Sequence, residues 1–133
     1  MLKKFGLSAP EKIKSRNDFE EIFSKGTTLI SSSKKIKAVY VIDQDSNETG
    51  IKTAFAISRK SGNAVWRNRI KRLLKEAFRL NKHILIKKAE DFSIFIRIIF
   101  SPYSINIRKN KNIYLSDIMP DVIDIMSRIS INV

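Results

Sequence analysis

The chain contains no cysteine, one histidine and only 13 acidic residues against 26 lysines and arginines in 133 residues. Without cysteine it cannot form disulfides, cysteine zinc sites or a thiol nucleophile, and a reducing cytoplasm suits this composition. The longest apolar run, residues 93–101, is interrupted by Arg97 and is far shorter than a membrane span. Residues 1–7 carry charge and lack the apolar segment of a secretory signal. These absences predict a cytoplasmic protein without a membrane segment.

Catalytic side chains are also scarce. A protein nuclease needs carboxylates that hold metal ions, or a histidine pair for acid–base chemistry. His83 is the sole histidine, and we expect it at the surface near a helix end. Asp43, Asp45 and Glu48 share one acidic stretch, but the surrounding Ser, Asn and Gly residues favour a solvated turn over a metal site. The sequence therefore predicts no catalytic residue and no metal bound by the protein.

Positive charge is abundant, with a formal net charge of +13 and a pI of about 10.2. This is the electrostatic signature of a nucleic-acid-binding protein. With 43% hydrophobic residues and eight phenylalanines, the chain can bury one core but is too short to expect two. We predict a single RNA-binding domain over residues 1–133, in which residues 1–12 form a flexible basic N-terminal arm.

The highest density of charge lies in an amphipathic pattern over residues 63–79. At about 100° per residue, one arc is apolar and packs inward. Its members are Trp66, Ile70, Leu73, Leu74, Ala77 and Phe78. The opposite arc is basic, and Lys71 and Lys75 repel one another because like charges four residues apart are unfavourable. A phosphate-rich partner would relieve that repulsion, whereas the alternative is an ordinary solvated face.

The remaining periodicities predict the order α, β, β, β, α, β, α. Asn63 is the predicted N-cap of the basic helix. Pro120 requires the last helix to begin just before it or to kink there. Arg97 lies within a predicted buried strand and therefore requires a partner for its charge. The predicted helices cover residues 14–25, 63–81 and 114–129, and the predicted strands cover residues 29–33, 36–42, 52–58 and 92–100. The strands at 36–42 and 52–58 are predicted to form a hairpin. This order favours a small α+β sandwich with helices against one sheet.

The residues 55–79, with Arg67-Asn68-Arg69 at their centre, closely resemble the signature of the bacterial ribonuclease P protein subunit, in which this triplet is the RNR motif. The resemblance extends upstream to residues 18–27, where two phenylalanines one turn apart precede a glycine, and downstream to residues 91–97. The match therefore covers roughly residues 13–97 in the right order. A lone RNR triplet would be weak evidence, but the long composite is specific.

The resemblance implies a single-domain two-layer α+β sandwich of the kind found in a ribosomal protein domain. It has a mixed sheet of about four strands, three flanking helices and a left-handed βαβ crossover. It further implies the non-catalytic protein subunit of an endoribonuclease whose catalyst is a large RNA. That RNA uses Mg²⁺ to remove the 5′ leader of precursor tRNA and so form the mature 5′ end. The protein would bind both RNAs, hold no cofactor itself and need no oligomerisation.

The resemblance also implies two sets of contact residues. Those for the catalytic RNA are Arg59, Lys60, Asn63, Arg67, Asn68, Arg69, Lys71, Arg72 and Lys75. Those for the precursor tRNA leader are Lys14, Arg16, Phe19, Phe23 and Tyr40. Asn68 could instead brace the motif, and the alternative for Phe19 and Phe23 is packing in the core. The sequence departs from the family pattern after Arg97, so no contacts are assigned beyond it.

Two other functions remain open at this point. A small ribosomal-type RNA-binding protein would share the size, the charge and the lack of catalytic residues, and would bind ribosomal RNA. A protein-only nuclease would cleave RNA by itself with a metal ion, which the scarcity of suitable side chains disfavours.

Overall fold

The computed structural model describes residues 12–133. Residues 1–11 of the predicted N-terminal arm lie outside that range. The helices are α1 (Arg16–Lys25), α2 (Ala64–Asn81), α3 (His83–Phe92) and α4 (Leu115–Ile131), and the strands are β1 (Thr27–Ile30), β2 (Ile36–Asp43), β3 (Gly50–Phe55) and β4 (Phe95–Pro102). A 3-10 turn at Arg59–Ser61 precedes α2. The predicted α+β fold with a four-stranded mixed sheet is confirmed.

The strand order in the sheet is β1-β2-β4-β3. β2 pairs antiparallel with β1 and β4, whereas β3 pairs parallel with β4. The predicted hairpin of β2 with β3 is therefore wrong, because β4 lies between them. Residues 95–100 of β4 are all buried, and a strand that is apolar on both faces stabilises the sheet most from a central position.

The predicted count of three flanking helices is also wrong, because α3 follows α2 before β4 begins. The side chains of Leu85 and Ala89, four residues apart, form its buried stripe. Lys82 joins the two helices in a helical backbone conformation, so the chain bends there without an extended loop. The β3-α2-α3-β4 connection joins adjacent parallel strands; its left-handed sense stays a prediction.

The two faces of the sheet carry different helices. In β2, Ile36, Ala38 and Tyr40 face the larger core, which α2, α3 and α4 complete. Val39 faces the smaller core with Ile22 of α1. Alternate side chains of a strand point to opposite faces, so this parity fixes which strand residues can meet α1.

Arg97 on β4 has the partners that its sequence position required. Its side chain, only 7% exposed, forms ion pairs with Asp18 and Glu21 of α1 and with Asp43 of β2. The Arg97–Asp18 and Arg97–Asp43 nitrogen–oxygen distances are 3.2 and 3.0 Å. The buried charge thus fastens α1 to the sheet.

The serine triplet at residues 31–33 follows β1 and forms a turn instead of a strand. Ser31 and Ser33 donate hydrogen bonds to the Asp121 carboxylate, and Ser32 donates to Asp124, both on α4. The turn is therefore held by the last helix.

Of the helices within residues 12–133, none is both long and apolar enough to cross a membrane.

Candidate nucleic-acid interface

The start of α2 is fixed by its own side chains. The Asn63 side-chain oxygen accepts a hydrogen bond from the Trp66 backbone N–H at 2.9 Å, which confirms the predicted N-cap. The predicted apolar arc is also confirmed. Its buried members are Trp66, Ile70, Leu74, Ala77 and Phe78. Because this stripe packs against the sheet and α4, the opposite side of α2 necessarily faces outward.

That outward side forms a shallow basic groove of about 500 Å³, lined by Asn68, Lys71, Arg72 and Lys75. The nearest acid in sequence, Glu76, forms a two-pronged ion pair with Arg79 and is therefore already occupied. Within residues 12–133, neither Lys71 nor Arg72 nor Lys75 has an ion pair. The groove thus presents uncompensated positive charge in the form that attracts phosphate groups.

The two arginines of the triplet are partly occupied within the protein. The Arg67 Nε–H donates to the Gly62 carbonyl at 3.1 Å. Arg69 donates two hydrogen bonds to the Ile113 carbonyl, at 3.0 Å from Nε and 2.8 Å from Nη2. A guanidinium carries five N–H donors, so each arginine keeps donors for a further partner. Arg67 and Arg69 therefore hold the loops at Gly62 and Ile113 in place and also contribute positive charge to the surface.

Asn68 lies between them and is exposed, and within the described residues its side chain has no hydrogen bond. The alternative that it braces the triplet is therefore not supported by the geometry. Asn63, by contrast, already uses its side-chain oxygen as the helix cap. The side-chain amide nitrogen of Asn63, with two N–H donors, remains available to an outside partner.

Arg59 and Lys60 lie exposed on the 3-10 turn just before α2. The Ser58 hydroxyl oxygen caps that turn by accepting from the Lys60 N–H at 3.2 Å. Gly62, which follows, lies against the Trp66 ring, and a Cβ there would come within 2.9 Å of it. The predicted contact residues before α2 therefore share one continuous surface with the helix.

A second basic segment, residues 103–114, is docked on this surface. The Ile107 N–H donates to the Ser61 carbonyl at 2.8 Å, and the Trp66 indole N–H donates to the Asn110 carbonyl at 2.9 Å. The segment exposes three cations that sequence analysis did not assign, namely Arg108, Lys109 and Lys111. The sequence signal that could have identified these cations is the absence of acidic residues from residue 92 to residue 116.

The predicted leader residues are not all brought together. Phe19 is half-buried against the smaller core, whereas Phe23 is 54% exposed on the same helix. Lys14 and Arg16 are exposed at the start of α1, where Arg16 pairs with Glu20 at 3.2 Å. Arg16, Phe19 and Phe23 are three and four residues apart and therefore share one side of α1.

Tyr40 lies on the other face of the sheet from Phe19 and is only 6% exposed. Its hydroxyl accepts a hydrogen bond from the Asn132 side-chain amide at 3.0 Å. The assignment of Tyr40 to the leader surface is therefore corrected. The physical reason is strand parity, because Tyr40 shares the direction of Ala38 while its neighbour Val39 faces α1.

A small groove of about 240 Å³ connects the two predicted surfaces. Phe19 and Ala54 lie on one side of it, and Lys71 and Lys75 of α2 lie on another. Lys12 joins this groove, and the Ile13 N–H donates to the Thr53 carbonyl at 3.0 Å, which holds the segment before α1 against β3. The sequence predicts Lys12 in the flexible arm, whereas the structure places it at this groove and makes it a further candidate for RNA contact.

Five acidic side chains lie together elsewhere, in a pocket that Arg97 also lines, namely Asp18, Glu21, Asp43, Asp45 and Glu48. The hydrogen bond and charge of Arg97 lower the pKa of Glu21. Asp43 is bound to Arg97, so it is an ion-pair partner and not only a turn residue as expected. His83 is exposed at the first position of α3, as predicted. No group of three or more potential metal-binding side chains is found among residues 12–133.

Known proteins resemble this chain in both sequence and fold. The sequence matches the family model described as Ribonuclease P over residues 7–111. It is 35% identical over 86 residues to the ribonuclease P protein component of Bacillus velezensis, covering 65% of this chain and 69% of that protein. It is 31% identical over 97 residues to the Porphyromonas gingivalis protein of the same name, covering 72% of this chain and 69% of that one.

The fold is similar to that of the RNase P protein from Thermotoga maritima, with a TM-score of 0.69 and 22% identity over 89% of this chain and 96% of that chain. It is also similar to the Staphylococcus aureus RNase P protein, with a TM-score of 0.65 and 22% identity over 90% and 94% of the two chains. The family model spans most of the sequence, and both named relatives are more than 30% identical to it. The chain therefore belongs to the family of ribonuclease P protein components.

Proposed function

We propose that this protein binds the catalytic RNA of ribonuclease P through the basic face of α2 and binds the 5′ leader of precursor tRNA beside α1. As a ribonuclease P protein component, the chain is part of an endoribonuclease that processes tRNA 5′ ends. The observation that carries the proposal is the groove of Lys71, Arg72 and Lys75, whose charge no acid within residues 12–133 neutralises.

Phosphate contacts explain why such a face would be retained despite its self-repulsion. Each phosphate that a lysine or arginine neutralises releases counterions, so affinity falls steeply with salt. If about five phosphates are contacted, affinity should fall by roughly two to three decades between 50 and 200 mM salt. A solvated face without a partner predicts no such dependence for any RNA.

The leader surface is proposed to comprise Phe23, Phe19, Lys14 and Arg16. Phe23 is the exposed aromatic of the group and can stack on an unpaired base, which requires no particular sequence. Phe19 supports the surface from its half-buried position, and the two cations can meet phosphates. Because Tyr40 is buried on the other face, it has no part in the proposed surface.

The protein is proposed to contribute no catalytic side chain. Asp18, Glu21 and Asp43 are engaged by Arg97, which removes the densest carboxylate group from metal binding. His83 has no second histidine to act with. We therefore assign the Mg²⁺-dependent hydrolysis to the RNA, which would supply the ligands of the ion that activates water.

Reconstitution tests the proposal directly. The full chain alone should leave precursor tRNA intact, and with a transcribed bacterial ribonuclease P RNA it should lower the Mg²⁺ concentration needed for cleavage. Arg72→Ala/Lys75→Ala should weaken RNA binding and reduce the salt slope by about two. The control variant Lys87→Ala/Lys88→Ala removes two positive charges from α3 and should leave the RNA affinity and the salt slope unchanged.

Three outcomes would contradict the proposal. The first is the absence of stimulation at every Mg²⁺ concentration. The second is preferential binding to ribosomal RNA, which would favour the ribosomal alternative. The third is metal-dependent cleavage by the protein alone, which would favour a protein nuclease.

A further inference from the structure

Tyr114 is an exposed aromatic side chain on a rigid backbone next to the basic interface. The residue is 58% exposed, although it lies at the junction of the 103–114 segment with α4. Its N–H donates to the Asp117 carboxylate at 2.8 Å, and the preceding Ile113 side chain is fully buried. The backbone is thus anchored on both sides while the ring faces solvent.

Arg69 connects this ring to the basic helix. Its guanidinium carbon lies 5.6 Å from the centroid of the Tyr114 ring, while its N–H groups hold the Ile113 carbonyl. The cation over the ring orders the side chain at little entropic cost, because the arginine is already fixed by two hydrogen bonds. An ordered aromatic plane beside an RNA-binding motif is the arrangement on which nucleobases stack.

The charges around Tyr114 all favour a polyanion. Arg108, Lys109 and Lys111 precede it on the same segment, and within residues 12–133 they have no ion pair. The sequence has no acid between Asp91 and Asp117, and Asp117 is engaged by the Tyr114 N–H. A protein partner would need an acidic or apolar counterpart, whereas single-stranded RNA supplies both the bases and the phosphates that this surface fits.

We propose that Tyr114, ordered by Arg69, stacks on an unpaired nucleobase of RNA, whose flanking phosphates are bound by Arg108, Lys109 and Lys111. The site rests on the proposed RNA-binding function and extends it to residues after Arg97. It lies on the segment that Trp66 and Arg69 dock beside the start of α2. The site therefore extends the proposed catalytic-RNA surface of α2 onto the 103–114 segment, where an unpaired base of that RNA would stack.

Binding of the full chain to two RNAs tests the site. The probes are a transcribed bacterial ribonuclease P RNA and a twelve-nucleotide oligoadenylate carrying 2-aminopurine at its centre, whose fluorescence is quenched on stacking. Tyr114→Leu should weaken oligoadenylate binding about tenfold and reduce the quenching, while Tyr114→Phe, which keeps the π-face, should match the parent. The salt slope of Tyr114→Leu should equal that of the parent, because no phosphate contact is removed.

Phe92 provides the matched control. It is 56% exposed on α3 and has the Lys88 ammonium 5.4 Å from its ring centroid, but it lies outside the 103–114 segment. Phe92→Leu should leave both affinities unchanged. Urea unfolding of each variant separates a local loss of stacking from a loss of fold.

The outcomes distinguish this site from the proposed function. If the parent protein fails to bind the ribonuclease P RNA, the proposed function fails. If it binds and Tyr114→Leu binds both RNAs within twofold of the parent with unchanged quenching, only the stacking site is overturned. Equal weakening by Tyr114→Phe and Tyr114→Leu would likewise overturn it, since stacking does not need the hydroxyl.

Discussion

Arg69 offers a sharp test because the structure gives it two separable tasks. Its side chain makes two hydrogen bonds to the Ile113 carbonyl and lies over the Tyr114 ring, and its charge adds to the basic face. Arg69→Ala should therefore destabilise the fold and weaken RNA binding together. Arg72→Ala, on the same helix face but without an internal partner in residues 12–133, should weaken binding alone.

The expected loss of stability follows from the bonds removed. Hydrogen bonds that involve a charged group contribute about 1.5 to 3 kcal/mol when well shielded, and the exposure of Arg69 lowers this to about 1 to 2 kcal/mol. For a chain of this size, that corresponds to a fall in Tm of roughly 4 to 8 °C. Arg72→Ala should stay within about 0.5 kcal/mol of the parent.

Urea unfolding provides the assay, and the protein carries its own probe. Trp66 is the single tryptophan, and its indole N–H binds the Asn110 carbonyl of the docked segment. Its fluorescence should therefore report release of that segment. Arg69→Lys keeps the charge but cannot make the two-pronged contact. It should therefore show most of the loss in unfolding free energy that Arg69→Ala shows, while the salt dependence of its RNA affinity stays close to that of the parent.

The refuting result is specific. If Arg69→Ala unfolds at the same urea concentration as the parent and still weakens RNA binding, Arg69 acts only as a direct RNA contact. If Arg69→Ala and Arg69→Lys both unfold at the same urea concentration as the parent and differ only in affinity, the two hydrogen bonds to Ile113 contribute nothing measurable. Either result would remove the bracing role.

Two further predictions concern α1 and the acidic groups. Phe23→Leu should reduce the affinity for precursor tRNA with a long leader by about 1 kcal/mol or more without changing stability, because Phe23 is exposed. Phe19→Leu should mainly reduce stability in urea, because Phe19 packs against the smaller core. Equal effects of the two on leader affinity, compared with a leaderless control, would contradict the assignment. The pKa of Asp124 is lowered, since burial, which raises it, is outweighed by the hydrogen bonds from Ser32 and by Arg128. A lowered folded-state pKa means that this stabilisation is present above the unfolded value near 4 and is lost as the pH falls through the folded value. Asp124→Asn should therefore cost about 1 kcal/mol at pH 7 and converge with the parent in acid, and a constant difference at all pH values would contradict the linkage.

The parts of the structure that could be predicted from sequence depend on local periodicity. The stripe of α2 follows from a 3.6-residue repeat, and its cap follows from Asn63, so both were correct. Strand order could not be obtained this way, because adjacency in sequence does not decide which strand takes the centre of a sheet. The face of the sheet to which the Tyr40 side chain points depends on its position along β2, and a shift of one residue would reverse that face. The place of Lys12 and the partners of Arg97 depend on contacts with distant segments.

The spacing of the Arg67-Asn68-Arg69 triplet has a physical reason that becomes clear from its contacts. Residues two apart on a helix differ by about 200° and cannot face the same way. Arg67 accordingly reaches back to the Gly62 carbonyl, and Arg69 reaches across to the Ile113 carbonyl, so each fixes a different loop. Asn68, between them, points to the basic groove. A single helical turn thus holds both the loop before α2 and the 103–114 segment, and this explains why both arginines are partly used within the protein. The surface proposed to meet RNA is then already formed before RNA arrives, and binding need not supply the free energy to order it.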